Sequence, residues 1–126
     1  MRYDEIVADV TARGGPTQKH EAEAVIQIVL EDLGKRLKGN EPQNLADQLP
    51  AELKEPLVAH TEQEPTTDDV DEFLRRVAEH EGEGVSPEEA LPHVRAVFTS
   101  LASFISEGET QAIRSQLPAG FAPLFQ

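Results

Sequence analysis

Apolar side chains recur along the start of the chain with the spacing of one helical face. Tyr3, Ile6, Val7 and Val10 follow the i, i+3, i+4, i+7 rule, and Val70, Phe73, Leu74 and Val77 repeat it 67 positions later. Residues three and four apart lie on one side of an α-helix, so each set predicts a short amphipathic helix. Gly14-Gly15-Pro16 and Gly82-Glu83-Gly84 predict where these helices end, and Thr67 or Asp68 is the predicted N-cap of the second.

A longer apolar stripe follows in each half. The first stripe comprises Ala22, Val25, Ile26, Val29, Leu33 and Leu37, and the second comprises Ala90, Val94, Val97, Phe98, Leu101 and Ile105. These stripes also include Ile28, Leu30 and Phe104, which makes them wider than the apolar face of a surface helix. Both long helices are therefore predicted to be central. Ser86-Pro87-Glu88-Glu89 predicts a capped start for the second, while Gly39-Asn40 and Gly108 predict helix ends.

Both halves then contain the same tetrapeptide. Gln48-Leu49-Pro50-Ala51 recurs unchanged as Gln116-Leu117-Pro118-Ala119, 68 positions later. A third helix is predicted to run into each copy as far as its proline, carrying Leu45 and Leu49 or Ile113 and Leu117. A last apolar turn is predicted after it, carrying Leu53 and Leu57 or Phe121 and Phe125. The prolines end the third helices because proline lacks a backbone donor and clashes inside a helix.

These patterns predict an all-α fold, since no segment alternates apolar and polar residues as a strand does. We expect two similar three- to four-helix units, a tandem internal repeat with approximate two-fold pseudosymmetry. The predicted single domain spans residues 1–126, with repeat units over 3–58 and 69–125 and a linker over 59–68. Neither unit has enough apolar faces to cover itself, so one shared core is expected, and two copies are too few for a solenoid.

Composition narrows the function classes. The chain has no cysteine, which excludes a disulfide and a zinc–thiolate site. A net charge of −13 argues against nucleic-acid binding, which relies on lysine and arginine. The basic cluster Lys35, Arg36 and Lys38 is interpreted as complementing a helix dipole. No basic and apolar leader precedes Tyr3, and no apolar run is long enough to span a membrane, so we expect a cytoplasmic protein.

Candidate chemistry is sparse. The histidines are His20, His60, His80 and His93; His20 and Glu23 have helical ligand spacing, but no further ligands converge, so surface or boundary positions are favoured. The acidic run Asp68-Asp69-Val70-Asp71-Glu72 lacks calcium-loop spacing and is explained by capping and the helix dipole. The serines, Ser86, Ser100, Ser103, Ser106 and Ser115, lie in no nucleophile motif. No catalytic, cofactor-binding or metal-ligating residue and no cofactor is predicted.

The order of these segments resembles a known family. Tyr3-Asp4-Glu5-Ile6, a long amphipathic helix, the Gln-Leu-Pro-Ala tetrapeptide and the restart at residues 70–78 are similar to the bacterial "domain of unknown function 2267" family, from Tyr3 to Phe125. The resemblance implies a helical bacterial protein of this size and repeat structure. It implies no catalytic residue, since the family is functionally uncharacterised and the matching positions are core and turn residues.

Two functional hypotheses follow. The first is a non-enzymatic interaction module, whose acidic helical surface binds a basic protein partner or whose apolar seam builds a homodimer, because a charge of −13 attracts cationic surfaces. The alternative is a small-ligand-binding or enzymatic protein with a pocket between the two repeats, lined by a buried ionisable residue. Phe121 and Phe125 are expected to pack into the core rather than to anchor a partner.

Overall fold

The computed structural model describes residues 2–126, and Met1, where the predicted domain begins, lies outside them. The α-helices are α1 Tyr3–Ala12, α2 Lys19–Arg36, α3 Glu41–Ala46, α4 Lys54–Val58, α5 Val70–Glu81, α6 Pro87–Phe104 and α7 Glu107–Ser115. Two 3-10 segments cover Ala51–Leu53 and Ala119–Phe125. Residues 2–126 contain no β-strand, which confirms the predicted all-α class.

The helix starts show which local signals were interpreted correctly. Ser86 caps α6 in a capping box with Glu89, as predicted. The N-cap of α5 is Asp69, in a capping box with Glu72, so the prediction of Thr67 or Asp68 was wrong. Asp68 is instead buried, and its carboxylate pairs with Arg76 on α5.

The predicted helix end at Gly108 was also wrong. Helix α6 ends at Phe104, Ile105 adopts an extended backbone, and Gly108 lies inside the first turn of α7, which Ser106 caps. Helix α2 ends in the same way, at Arg36, before an extended Leu37. Leu37 and Ile105 are both buried. Each long helix therefore ends just before an apolar residue whose side chain packs into the core.

Helices from the two halves interleave. Helix α1 packs on α2 and on α6, while α5 packs on α6 and on α2. The long helices α2 and α6 touch each other, as do α3 and α7. Buried apolar side chains from both halves form one cluster, in which the Phe73 ring lies 6.0 Å from Phe98 and 5.4 Å from Phe121. Phe121 is therefore a core residue, as expected, and Phe125 is partly buried against Phe98.

The repeated tetrapeptide begins with a glutamine that binds the other half. The Gln48 side chain accepts a hydrogen bond from the Ser106 backbone N–H (2.8 Å) and donates to the Ser106 hydroxyl (3.2 Å). The Gln116 side chain accepts from the Lys38 N–H (2.7 Å) and donates to the Lys38 carbonyl (3.4 Å). Lys38 and Ser106 are themselves 68 positions apart, so the two glutamines make equivalent contacts in opposite directions.

The segment between α4 and α5 is irregular but anchored. The Thr66 N–H donates to the Lys35 carbonyl (2.9 Å), and Arg36 Nε donates to the Asp68 carbonyl (3.0 Å). The linker therefore lies along the end of α2.

As for membranes, none of the helices formed by residues 2–126 has the length and apolarity needed to cross a bilayer.

Candidate functional site

A cleft between the two halves combines an apolar wall with a buried glutamate that is paired with a partly exposed histidine. We call it the junction cleft; it has a volume of about 320 Å³ and is lined by Pro16, Glu21, Ala24, Val25, Ile28, Glu81 and His93. Helix α2 of the first half forms one wall, while the end of α5 and the side of α6 form the other. The volume lies near the lower end of the range for ligand pockets, about 300 to 1,000 Å³.

Glu81 is the last residue of α5, and its carboxylate points into the protein. Gly82 follows it with φ 141°, a conformation that side chains other than glycine's rarely adopt, so the chain turns away sharply after Glu81. The Glu81 side chain is only 8% exposed. Glu81 Oε1 accepts a hydrogen bond from His93 Nδ1 (2.7 Å), a direction set by the carboxylate, which has no proton to donate when ionised.

The second carboxylate oxygen is the unusual feature of the cleft. Glu81 Oε2 is buried and accepts no hydrogen bond from any group in residues 2–126. Leaving a buried acceptor unpaired is costly, so an unpartnered oxygen on a residue that lines a cleft is a candidate acceptor for a bound donor. His93, 26% exposed, borders the same space, and Glu21 brings a second carboxylate to the rim.

The apolar residues opposite suit a short hydrocarbon chain. Ala24, Val25 and Ile28 lie on one face of α2, and Pro16 closes the end near the α1–α2 loop. An anionic ligand is disfavoured because two carboxylates border the cleft. The side chains do not support a metal site either. Residues 2–126 contain no group of three histidine, aspartate or glutamate side chains placed so that they could coordinate a metal ion.

Two other depressions are of comparable volume but lack these features. One, of about 330 Å³, is lined by Gln27, Glu31, Glu52, Glu55, Pro56 and Ala59, all from the first half, and its acids are partly or fully exposed. The other, of about 410 Å³, is formed by α1 and the following loop and holds no buried ionisable side chain. The junction cleft is therefore the candidate site.

The structure pairs three of the four histidines with a carboxylate. Besides His93 with Glu81, His60 Nε2 lies 3.0 Å from Glu31, and His80 Nδ1 lies 2.9 Å from Asp32. Sequence reasoning missed all three pairs because the partners are 29, 48 and 12 positions apart and share no local motif. His20 is exposed.

Glu23, which has ligand spacing from His20, has another partner. It accepts a hydrogen bond from the Tyr3 hydroxyl (2.8 Å). Burial, this hydrogen bond and the charge of Glu23 together raise the pKa of Tyr3 to about 12. The structure therefore ties Glu23 to α1 rather than to a site with His20.

The remaining candidates have structural roles. Lys35 lies 3.9 Å from the buried Asp32, and Arg36 is itself buried, so Lys38 is the one fully exposed member of the basic cluster. Ser86 and Ser106 cap helices. Within residues 2–126, no serine hydroxyl is hydrogen-bonded to a histidine, and Ser103 and Ser115 donate to carbonyls of their own helices.

Comparison with known proteins identifies the family. The family described as "Uncharacterized conserved protein (DUF2267)" matches residues 3–124. This chain belongs to that family. No curated protein matches it.

Proposed function

We propose that the protein is a non-enzymatic binding module that receives a cationic group in the junction cleft. The observation that carries the proposal is the unpartnered Glu81 Oε2, a buried acceptor that belongs to a residue lining a cleft with an apolar wall. An ammonium or guanidinium group would donate to this oxygen, and its alkyl stem would pack against Ala24, Val25 and Ile28. Charge-assisted hydrogen bonds of this kind are about twice as strong as neutral ones.

The charge of the whole chain supports the same ligand class. A net charge of −13 attracts cations over long distances and increases their rate of association. A lysine or arginine side chain of a basic protein partner carries the required group, and so does a free small amine. We do not extend the proposal to a homodimer, because Leu91 is the one large hydrophobic side chain that is exposed in residues 2–126.

We further infer that the chain is a tandem repeat with an approximate two-fold axis, and that the cleft arose where the repeats diverged. The reciprocal contacts of Gln48 and Gln116 support the duplication. At the repeat-equivalent positions, His93 is replaced by Val25 and Glu81 by Gly14. The carboxylate–histidine pair therefore belongs to one half, as expected if it serves a ligand rather than the shared packing.

The test is an NMR titration of the protein with n-butylammonium and with n-butanol as the uncharged analogue. We expect butylammonium, and not butanol, to shift the resonances of Glu81, His93 and Ile28. Glu81→Gln should weaken this binding about tenfold or more, because it replaces a charge-assisted hydrogen bond with a neutral one. Glu83→Gln, an exposed acid two residues away, should leave it unchanged.

Comparing the affinity of a lysine-containing peptide with that of butylammonium distinguishes a protein partner from a free amine. Tighter binding of a lysine-containing peptide than of butylammonium supports a protein partner, and the reverse order supports a free amine. Equal shifts with butanol, or equal loss of binding in Glu81→Gln and Glu83→Gln, would show that Glu81 does not recognise a cation and would overturn the proposal. An absence of shifts at millimolar butylammonium would overturn it as well.

A further inference from the structure

A second buried acidic site lies at the junction of α3 and α7, away from the cleft. Glu41 is the first residue of α3 and Glu109 lies in the first turn of α7, and these helices pack on each other. The two glutamates are 68 positions apart, so they occupy equivalent places in the two halves. Glu41 is 8% exposed and Glu109 is 9% exposed.

The two carboxyl groups face each other without a cation. The two carboxyl groups lie within hydrogen-bonding reach of each other. Glu41 Oε1 and Glu109 Oε2 are both buried and accept no hydrogen bond from any group in residues 2–126. None of the ion pairs formed within residues 2–126 includes either carboxyl. Two buried carboxyl groups this close repel each other when both are ionised and can hydrogen-bond only when one of them carries a proton, so the arrangement favours one shared proton.

The surrounding groups leave this pair isolated. On α7, Arg114 lies over the Phe125 ring. The other charged groups on or beside α7, α3 and α4 are exposed or half-exposed: Glu107, Lys38, Asp47, Lys54 and Glu55. Burial, followed by the hydrogen bond to Glu41 and the charge of Glu41, raises the pKa of Glu109 to about 8. The pair therefore keeps its proton at neutral pH, where an ordinary glutamate has lost it.

We propose that Glu41 and Glu109 form a proton-operated latch between the two halves. With the proton in place, the carboxyl groups hold the first turns of α3 and α7 together. Its loss leaves two buried negative charges in contact, and their repulsion separates the two turns. The Gln48 and Gln116 contacts flank the latch and do not titrate, so the opening is local.

Hydrogen exchange as a function of pH tests the latch. After correction for intrinsic exchange, the protection of amides in residues 38–49 and 106–117 should fall between pH 7 and pH 9.5. The loss of one proton corresponds to a limiting slope of about tenfold per pH unit. Glu109→Gln and Glu41→Gln each supply an amide hydrogen in place of the shared proton, so either variant should make the protection independent of pH. Two variants are used so that one poorly folded protein does not decide the result.

The matched control is Glu107→Gln, which removes one negative charge from an exposed position on the same helix. It should keep the pH dependence of the unmodified protein. A flat profile in the unmodified protein, or a pH dependence that persists in both glutamine variants, would overturn the latch. The cleft is lined by other residues, so failure of the cation-binding proposal leaves this prediction unaffected.

Discussion

Asp32 shows how a single residue becomes critical through burial. It lies on α2, is fully buried, and accepts a hydrogen bond from His80 Nδ1 on α5. Burial raises its pKa from 3.8, although His80, Lys35 and Arg76 each act to lower it. The raised pKa means that burial destabilises the ionised carboxylate by more than its neighbours stabilise it.

The sign of the resulting pH effect can be tested with Asp32→Asn. Because the folded protein holds the Asp32 proton more tightly than the unfolded chain does, this residue's contribution to stability falls as the pH rises through the window above 3.8. Asparagine is neutral and keeps an oxygen for His80, so urea unfolding of the variant should show a flatter pH dependence there. Asp71→Asn, at an exposed position on α5, should keep the original slope.

Two glycines inside helices have opposite surroundings. A Cβ on Gly34 of α2 would collide with the backbone carbonyl of Leu57 on α4, whereas a Cβ on Gly108 of α7 would meet no atom within 4 Å. Gly34 therefore permits the close approach of α2 and α4. Gly108 has no such role, so its glycine only weakens the helix.

We expect Gly34→Ala to destabilise the protein by about 1 to 3 kcal/mol or more, because a rigid backbone must move. Gly108→Ala should stabilise it by about 0.5 to 1 kcal/mol, because alanine favours the helix. Chemical denaturation of both variants measures these changes. Equal effects of the same sign would contradict the assignment of Gly34 as a packing position.

At the scale of elements, the tetrapeptide glutamines connect the halves. Gln48 binds the start of α7 and Gln116 binds the chain before α3, each through two hydrogen bonds. The sequence revealed that these residues recur, but it did not reveal their partners, which are 58 and 78 positions away. The repeated tetrapeptide is visible along the chain, whereas the contacts of its glutamines depend on how the two halves pack.

Truncating these side chains should cost similar amounts. We expect Gln48→Ala and Gln116→Ala each to lower the free energy of unfolding by about 1 kcal/mol or more, since each leaves a backbone N–H without its partner. Gln43→Ala, which removes only a contact to Asp47 one turn away, should have a much smaller effect. If Gln43→Ala costs as much as the other two, the glutamines do not join the halves.

Other element-scale features show where local signals suffice. The capping box of α6 is contained in the sequence, because Glu89 lies three residues after Ser86. The local pattern equally favours Asp68 as the cap of α5, but Asp68 is buried beside Arg76 and Asp69 is the cap. Adjacent acids at a helix start are equivalent locally, and tertiary packing decides among them.

At the scale of the whole molecule, the interleaved packing makes the halves interdependent. The first helix of each half lies on the long helix of the other, and one apolar cluster includes side chains from both. A half released from its partner would expose the faces of α1 and α2, or of α5 and α6, to water. The cost of that exposure, about 25 cal/mol per Å² of apolar surface, removes much of its stability.

Separating the chain within its linker tests this interdependence. Fragments 1–61 and 62–126, prepared separately, should each show low helicity and no cooperative melting by circular dichroism. An equimolar mixture should recover helicity and a cooperative transition, because the shared core reforms. Native-like helicity and cooperative unfolding of either fragment alone would show that the halves fold independently.

The sequence by itself determined the helices and the all-α class, because helical periodicity and capping depend on residues a few positions apart. It also contains the tetrapeptide that recurs 68 positions later. The tertiary structure alone decided the junction cleft, the carboxylate–histidine pairs and the contact between Glu41 and Glu109. Their members lie 12 to 68 positions apart. Burial and charge pairing depend on which surfaces meet, and that is settled only when the halves pack together.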